Sequence, residues 1–135
     1  MPTCRSSLLL PLGLAGVLVG CAAGAPIPQP SELPMHAVES PFTLHWRTDR
    51  GPDRVTGVGV VEAHAPDRVD YVIVELQGLD KDGRVVSRAR ALTAPRSFTG
   101  IDPWPFTISL RPTGREERFV ATLAEVHWRL QIGGR

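Results

Sequence analysis

Residues 69–92 read VDYVIVELQGLDKDGRVVSRARAL, and this stretch decides the fold. Val72, Val74 and Leu76 alternate with Tyr71, Ile73 and Glu75, the period-two pattern of a strand with one face on a core. Asp80-Lys81-Asp82-Gly83 then supplies a turn in which Gly83 is free to take positive φ. The D-x-D-G spelling lacks the later oxygen ligands and closing glutamate of a calcium loop, so it reads as turn chemistry. From Val85 the chain returns, with Val85, Ser87, Ala89 and Ala91 on one face and Val86, Arg88, Arg90 and Leu92 on the other. The small residues are expected against the core and the arginines in water.

Period two continues on both sides of this hairpin. Toward the amino terminus, Phe42, Leu44 and Trp46 alternate with Thr43, His45 and Arg47. A turn at 49–53 leads into Val55–His64, where Gly57 and Gly59 mark a bulge or a close approach of another backbone. Toward the carboxyl terminus, Thr93–Pro105 is irregular. Prolines 103 and 105 hold Trp104 in extended backbone, which is expected to keep it out of a central sheet. Alternation resumes at Phe106, Ile108 and Leu110. It returns in Phe119–Ile132, with Val126, Trp128, Leu130 and Ile132 expected inward and a kink over Ala121–Ala124. A helix over Glu116–Glu125 is the weaker alternative. About six strands separated by turn signals, without a clear helix, predict an all-β chain: an antiparallel, immunoglobulin-like β-sandwich of six to seven strands.

Residues 1–20 have the layout of an export signal: Arg5 near the start, an uncharged run from Leu8 to Val19, then small residues. That run is about 12 residues long and contains Pro11, whereas a bilayer span needs roughly 20. It ends in Leu18-Val19-Gly20-Cys21, which resembles the lipobox of bacterial lipoproteins at every position. The resemblance implies cleavage after Gly20 and lipid on Cys21. Two or more acyl chains are needed for stable anchoring, since a single one binds only reversibly. Ala22 follows instead of the aspartate that retains many such proteins at the inner membrane. The resemblance therefore favours the periplasmic face of the outer membrane. Residues 21–41, with prolines at 26, 28, 30, 34 and 41, read as a semi-rigid tether, and 42–135 as the sandwich domain.

Val72, Val74, Leu76, Asp80, Gly83, Val85 and Val86, followed by Phe106, Ile108 and Leu110, also resemble the small immunoglobulin-like domains of bacterial envelope proteins known as FxLYD domains. Val74-Glu75-Leu76 stands where that group has F-x-L, and Gln77-Gly78-Leu79 intervenes before Asp80. The resemblance covers about a third of the chain and implies fold alone.

Composition narrows the rest. Fifteen basic residues face fourteen acidic ones, and Arg5 of the leader makes the difference. Bulk charge thus gives no grip on nucleic acid. The cysteines are Cys4 and Cys21, so the domain is expected to fold by burial without an internal disulfide. No G-x-S-x-G elbow accompanies the serines. Histidines 36, 45, 64 and 127 show no H-x-H or H-x-x-H spacing for zinc. His45 and His127 are both expected to point outward, and would meet only if their strands were neighbours. No cofactor, metal or catalytic set is expected. Trp104 is the candidate partner-binding residue, because a proline-braced aromatic loses little entropy on binding; the alternative is that it plugs the sandwich. The reading is a lipid-anchored, non-enzymatic interaction module touching an envelope protein. A carrier of an apolar ligand such as a lipid is the alternative, and a small hydrolase using His45, His64 and His127 the third.

Overall fold

The computed structural model describes residues 26–64, 68–95 and 102–130. Among these residues, seven strands form two antiparallel sheets. The four-stranded sheet has the order β1 (Met35–Glu39), β2 (Phe42–Arg50), β3 (Val55–Ala63), β6 (Trp104–Leu110). The three-stranded sheet has the order β5 (Val85–Thr93), β4 (Val69–Leu79), β7 (Arg118–Trp128). The chain is an all-β sandwich, as the alternation predicts.

The period-two residues make the core. Phe42, Leu44 and Trp46 of β2, Val72, Val74 and Leu76 of β4, and Phe106, Ile108 and Leu110 of β6 meet between the sheets. Ala89 and Ala91 lie against them from β5, with Arg88 and Arg90 exposed. Gly83 turns the β4–β5 hairpin at φ 78°, and the Asp80 Oδ1 accepts the N–H groups of Asp82 and Arg84, each at 2.9 Å. The glycines of β3 mark a close approach, with the ladder unbroken. A Cβ on Gly59 would stand 2.3 Å from the His45 carbonyl and 2.5 Å from the Phe106 ring. The kink expected over Ala121–Ala124 is a bulge at the end of that stretch: Val74 pairs with Leu123 and Ile73 with Glu125, leaving Ala124 over. No helix forms over 116–125, because β7 takes Arg118 onward.

The tether is shorter than the sequence suggests. Residues 35–39, assigned to it, form β1, with Ala37 opposite Leu44 and Glu39 opposite Phe42. Pro34 and Pro41 flank this strand rather than interrupt it, so its ladder keeps its N–H groups. Before it, Pro30–Glu32 makes a 3-10 turn, braced by the Gln29 N–H on Glu32 Oε2 at 2.9 Å. Pro26–Gln29 and Glu32 lie beside Arg47, Val58 and Thr107, on the outer face of the four-stranded sheet. Leu33 and Val60 are buried outside the cluster between the sheets, so this segment has an apolar footing of its own.

Candidate functional site

Cys21 lies outside the described residues. Of the two readings of Trp104, the structure favours the plug over the partner-binding residue. Trp104 opens β6 opposite Val61, is 1% exposed, and meets Phe42 edge-on at 6.2 Å between ring centres. It is a core residue and presents no surface to a partner. The prolines around it are compatible with the sheet because β6 is an outer strand. The Pro105 carbonyl accepts from Thr93 Oγ1 at 2.7 Å, away from β3, so the missing N–H falls on the same unpaired side.

The exposed tryptophan is Trp128, 49% accessible. Its side was legible: it pairs with the buried Val69 and its ring lies 6.0 Å from Phe42. Its burial was not, because β7 is the last strand of its sheet and no described strand covers it from the far side. Leu130, also expected inward, follows the strand and is 87% exposed.

Trp128 stands in an open groove of about 360 Å³ between the two sheets, lined by Glu39, Ser40, Pro41, Phe42, Leu123 to Val126 and Trp128. β1 forms one wall and β7 the other. One point of the groove is bridged. The Glu39 carboxylate reaches across and accepts the Leu123 N–H, at 3.2 and 3.3 Å to its two oxygens. This satisfies a backbone donor beside the bulge. Past that point no described strand covers the edge of β7.

On its outer face, β7 joins a chain of charges. Glu75, 4% exposed, accepts from Gln77 Nε2 at 2.7 Å and Arg90 Nε at 2.6 Å. The hydrogen bond from Gln77 and the charge and hydrogen bond of Arg90 outweigh burial and hold its carboxyl below the usual range. Arg90 also stands 3.7 Å from Glu125, which lies 3.3 Å from His127 Nε2. The His127 ring stacks on Tyr71 at 4.0 Å. Arg129 Nε donates to Asp70 at 3.0 Å.

His45 and His127 do not meet, since they lie on the outer faces of different sheets. His45 instead sits 2.9 Å from Glu62 Oε2 and 6.3 Å, ring to ring, from His36. His64 stands 3.5 Å from Thr43 Oγ1. Among the described residues, no three metal-ligating side chains lie close enough to share an ion. What the arrangement offers is a groove of mixed polarity, with Glu39 and Glu125 among its lining, beside the far edge of β7, which is suited to holding an extended backbone. No protein-family profile, no curated protein and no solved structure matches this chain.

Proposed function

We propose that this protein is a lipoprotein of the bacterial envelope, anchored through Cys21 and serving as a non-enzymatic interaction module. In this reading it sits on the periplasmic face of the outer membrane and binds a protein there. The single observation that carries the interaction part is the half-exposed Trp128 over the open groove between β1 and β7. A partly exposed tryptophan beside an open groove is the kind of anchor that dominates binding interfaces. Anchoring rests on the Leu18-Val19-Gly20-Cys21 motif. Kinship with the small immunoglobulin-like envelope domains belongs to the same proposal.

The folded N-terminal segment sharpens the geometry. Between Cys21 and Pro26 there are only four residues, which reach at most about 20 Å when fully extended. A body held this way stays near the bilayer with the outer face of its four-stranded sheet toward it. Metabolic labelling with a palmitate analogue tests the anchor: wild type takes up label and Cys21→Ser does not. Label on both, or on neither, refutes it. A photo-crosslinker at Trp128, compared with one at exposed Leu92 on β5, tests the surface in intact envelopes. Products specific to position 128 support the reading, and identical patterns refute it. Carriage of an apolar ligand gains no support between the sheets, where Phe42, Trp46, Trp104, Phe106 and Leu76 occupy the described interior.

A further inference from the structure

The interaction surface proposed above leaves its occupant unnamed, and the edge of β7 names one. In the immunoglobulin arrangement, strand B pairs with E in one sheet and C with F in the other, and F carries a further neighbour, G. Taking β3 and β4 as B and C, and β6 and β7 as E and F, both within-sheet pairs are present: β3 with β6, and β4 with β7. The place of G, beside β7, holds no strand among the described residues. Such an edge is a template for another strand unless it is covered. Among the described residues, cover is confined to Glu39 on Leu123, and Glu125–Trp128 is left open.

We propose that this edge pairs with the β7 of a second copy, antiparallel, about a two-fold axis through His127. The rest rests on the interaction-module reading only for the choice of surface. The side chains are complementary to themselves in this register. Antiparallel pairing about His127 sets Glu125 opposite Arg129 of the other copy, Val126 opposite Trp128, and the reverse pairs by symmetry. Opposite charges and apolar partners directly across a ladder are the stabilising cross-strand pairs. Moving the axis by one residue either way, a two-residue shift of register, brings Glu125 opposite His127, or His127 opposite Arg129, and unpairs a charge. Arg129 meets Asp70 through Nε, and its guanidinium has further donors for a second carboxylate.

The backbone agrees. Arg129 gives its N–H to the Arg68 carbonyl at 2.8 Å, on the β4 side. By the alternation of an extended strand, His127 also faces β4, and Val126 and Trp128 direct their N–H and C=O groups to the open side. In the register centred on His127, Val126 and Trp128 of the two copies are then the hydrogen-bonded pairs, and Glu125–Arg129 and His127–His127 the closer, non-hydrogen-bonded ones. The apolar faces of Val126 and Trp128 would extend each groove into its mate. A two-fold axis normal to a sheet leaves both copies with the same face up. Both N-terminal segments, on the outer face of the four-stranded sheet, therefore point to one side and suit a single membrane.

Cysteine trapping in the full-length chain tests the register, with the wild type, carrying Cys4 and Cys21, as background. His127→Cys places two thiols across a non-hydrogen-bonded pair, within disulfide reach. It is expected to give a disulfide-linked homodimer at least tenfold above Leu92→Cys. Glu125→Cys and Arg129→Cys are each expected to stay monomeric alone and to cross-link when mixed. Equal yields at positions 127 and 92, or a Glu125→Cys homodimer as abundant as that of His127→Cys, overturn the proposal. So does capture of a different protein by His127→Cys, which would make the edge a receptor for a donated strand. As a second readout, Glu125→Arg is expected to weaken self-association in sedimentation by roughly tenfold. The exchange Glu125→Arg/Arg129→Glu is expected to restore it, and failure to restore counts against the register. A monomeric chain that still takes palmitate and still yields partner products at Trp128 fails this inference alone.

Discussion

Replacing Glu116 by Gln removes one negative charge at the point where the β6–β7 loop is fastened to β5. Glu116 Oε1 accepts from Ser87 Oγ at 2.6 Å, Thr113 N–H at 2.7 Å and Thr113 Oγ1 at 3.0 Å, and Oε2 accepts from Gly114 N–H at 2.9 Å. Burial alone would raise its pKa, but the hydrogen bonds from Ser87 and Thr113 outweigh burial and bring it down to about 2, against 4.5 for a free glutamate. A group whose folded pKa is depressed contributes stability above its unfolded pKa. That contribution fades as pH falls from about 4.5 toward about 2. A shift of this size corresponds to about 3 kcal/mol in full, reduced to about 1–2 kcal/mol for a side chain that still touches water. Urea unfolding at pH 6 should therefore show the Gln variant less stable by about that amount, a midpoint lower by roughly 0.5–1 M. Near pH 2 the two curves should converge, since the wild type has lost the same charge. A Gln variant as stable as wild type at pH 6, or a gap that persists undiminished at pH 2, would refute the assignment.

Gly59→Ala should cost about 3 kcal/mol or more, because its Cβ would meet the fixed His45 carbonyl at 2.3 Å and the Phe106 ring at 2.5 Å. Gly57→Ala, facing the movable Leu76 methyls at 3.1 and 3.3 Å, should cost under about 1.5 kcal/mol, and paired thermal melts would separate them. Gly78→Ala should behave like Gly59→Ala, since Ser87 Oγ and Glu116 Cγ stand 2.3 and 2.5 Å from its Cβ. A Gly78→Ala/Ser87→Ala double variant should regain part of the loss. Arg90→Leu should lower the unfolding midpoint at neutral pH by leaving the Glu75 carboxylate buried on Gln77 alone, and adding Glu75→Gln should recover much of it. Because Glu75 is also held below its usual range, the cost of Arg90→Leu should shrink as the pH falls below the ordinary carboxylate range.

The hairpin at 69–92 was legible because two independent signals agree there: alternation over both strands, and a turn that needs positive φ where the chain supplies Gly83. The faces of Ala89, Ala91, Arg88 and Arg90 were readable for the same reason, whereas Val85, expected on the core face, is exposed beyond the register shift at Gly78/Leu79. What escaped was coverage, which depends on neighbours distant in sequence. Trp128 faces inward as its parity dictates, yet stays half exposed because β7 ends its sheet. Trp104, for which the local pattern leaves plug and partner-binding residue both open, is buried. Pro103 and Pro105 bar an interior strand but are harmless on an outer one, and strand order is not written in local pattern. β1 was hidden by the prolines at 26, 28, 30, 34 and 41, whose density reads as tether although Met35–Glu39 between them is free to pair. Glu39 had no local signal at all. Its role comes from the bulge at Ala124, 85 residues on, which places the Leu123 N–H within its reach.

The two long sides of the sandwich are finished differently, and the difference bears on where a partner can approach. Between β5 and β6, Thr93 ties one strand to the other through the Pro105 carbonyl, while Glu116 pins the β6–β7 loop to Ser87 on β5. Between β1 and β7, Glu39 is the described bridge, and the groove opens beyond it toward Trp128. Residues 26–33 meanwhile occupy the outer face of the four-stranded sheet. On the proposed anchoring, that face is turned to the bilayer by a connection too short to let it swing away. The sheets then lie roughly parallel to the membrane, and the open side of β7 points along it. Approach along the membrane plane is the direction in which two tethered copies diffuse, and a two-fold axis normal to the sheets is normal to the bilayer as well. Pairing along β7 would therefore add a ladder and two charge pairs without stretching either connection, whereas a partner arriving from the opposite, membrane-distal side would meet the outer face of the three-stranded sheet, where Arg88, Arg90, Leu92 and Glu125 are exposed.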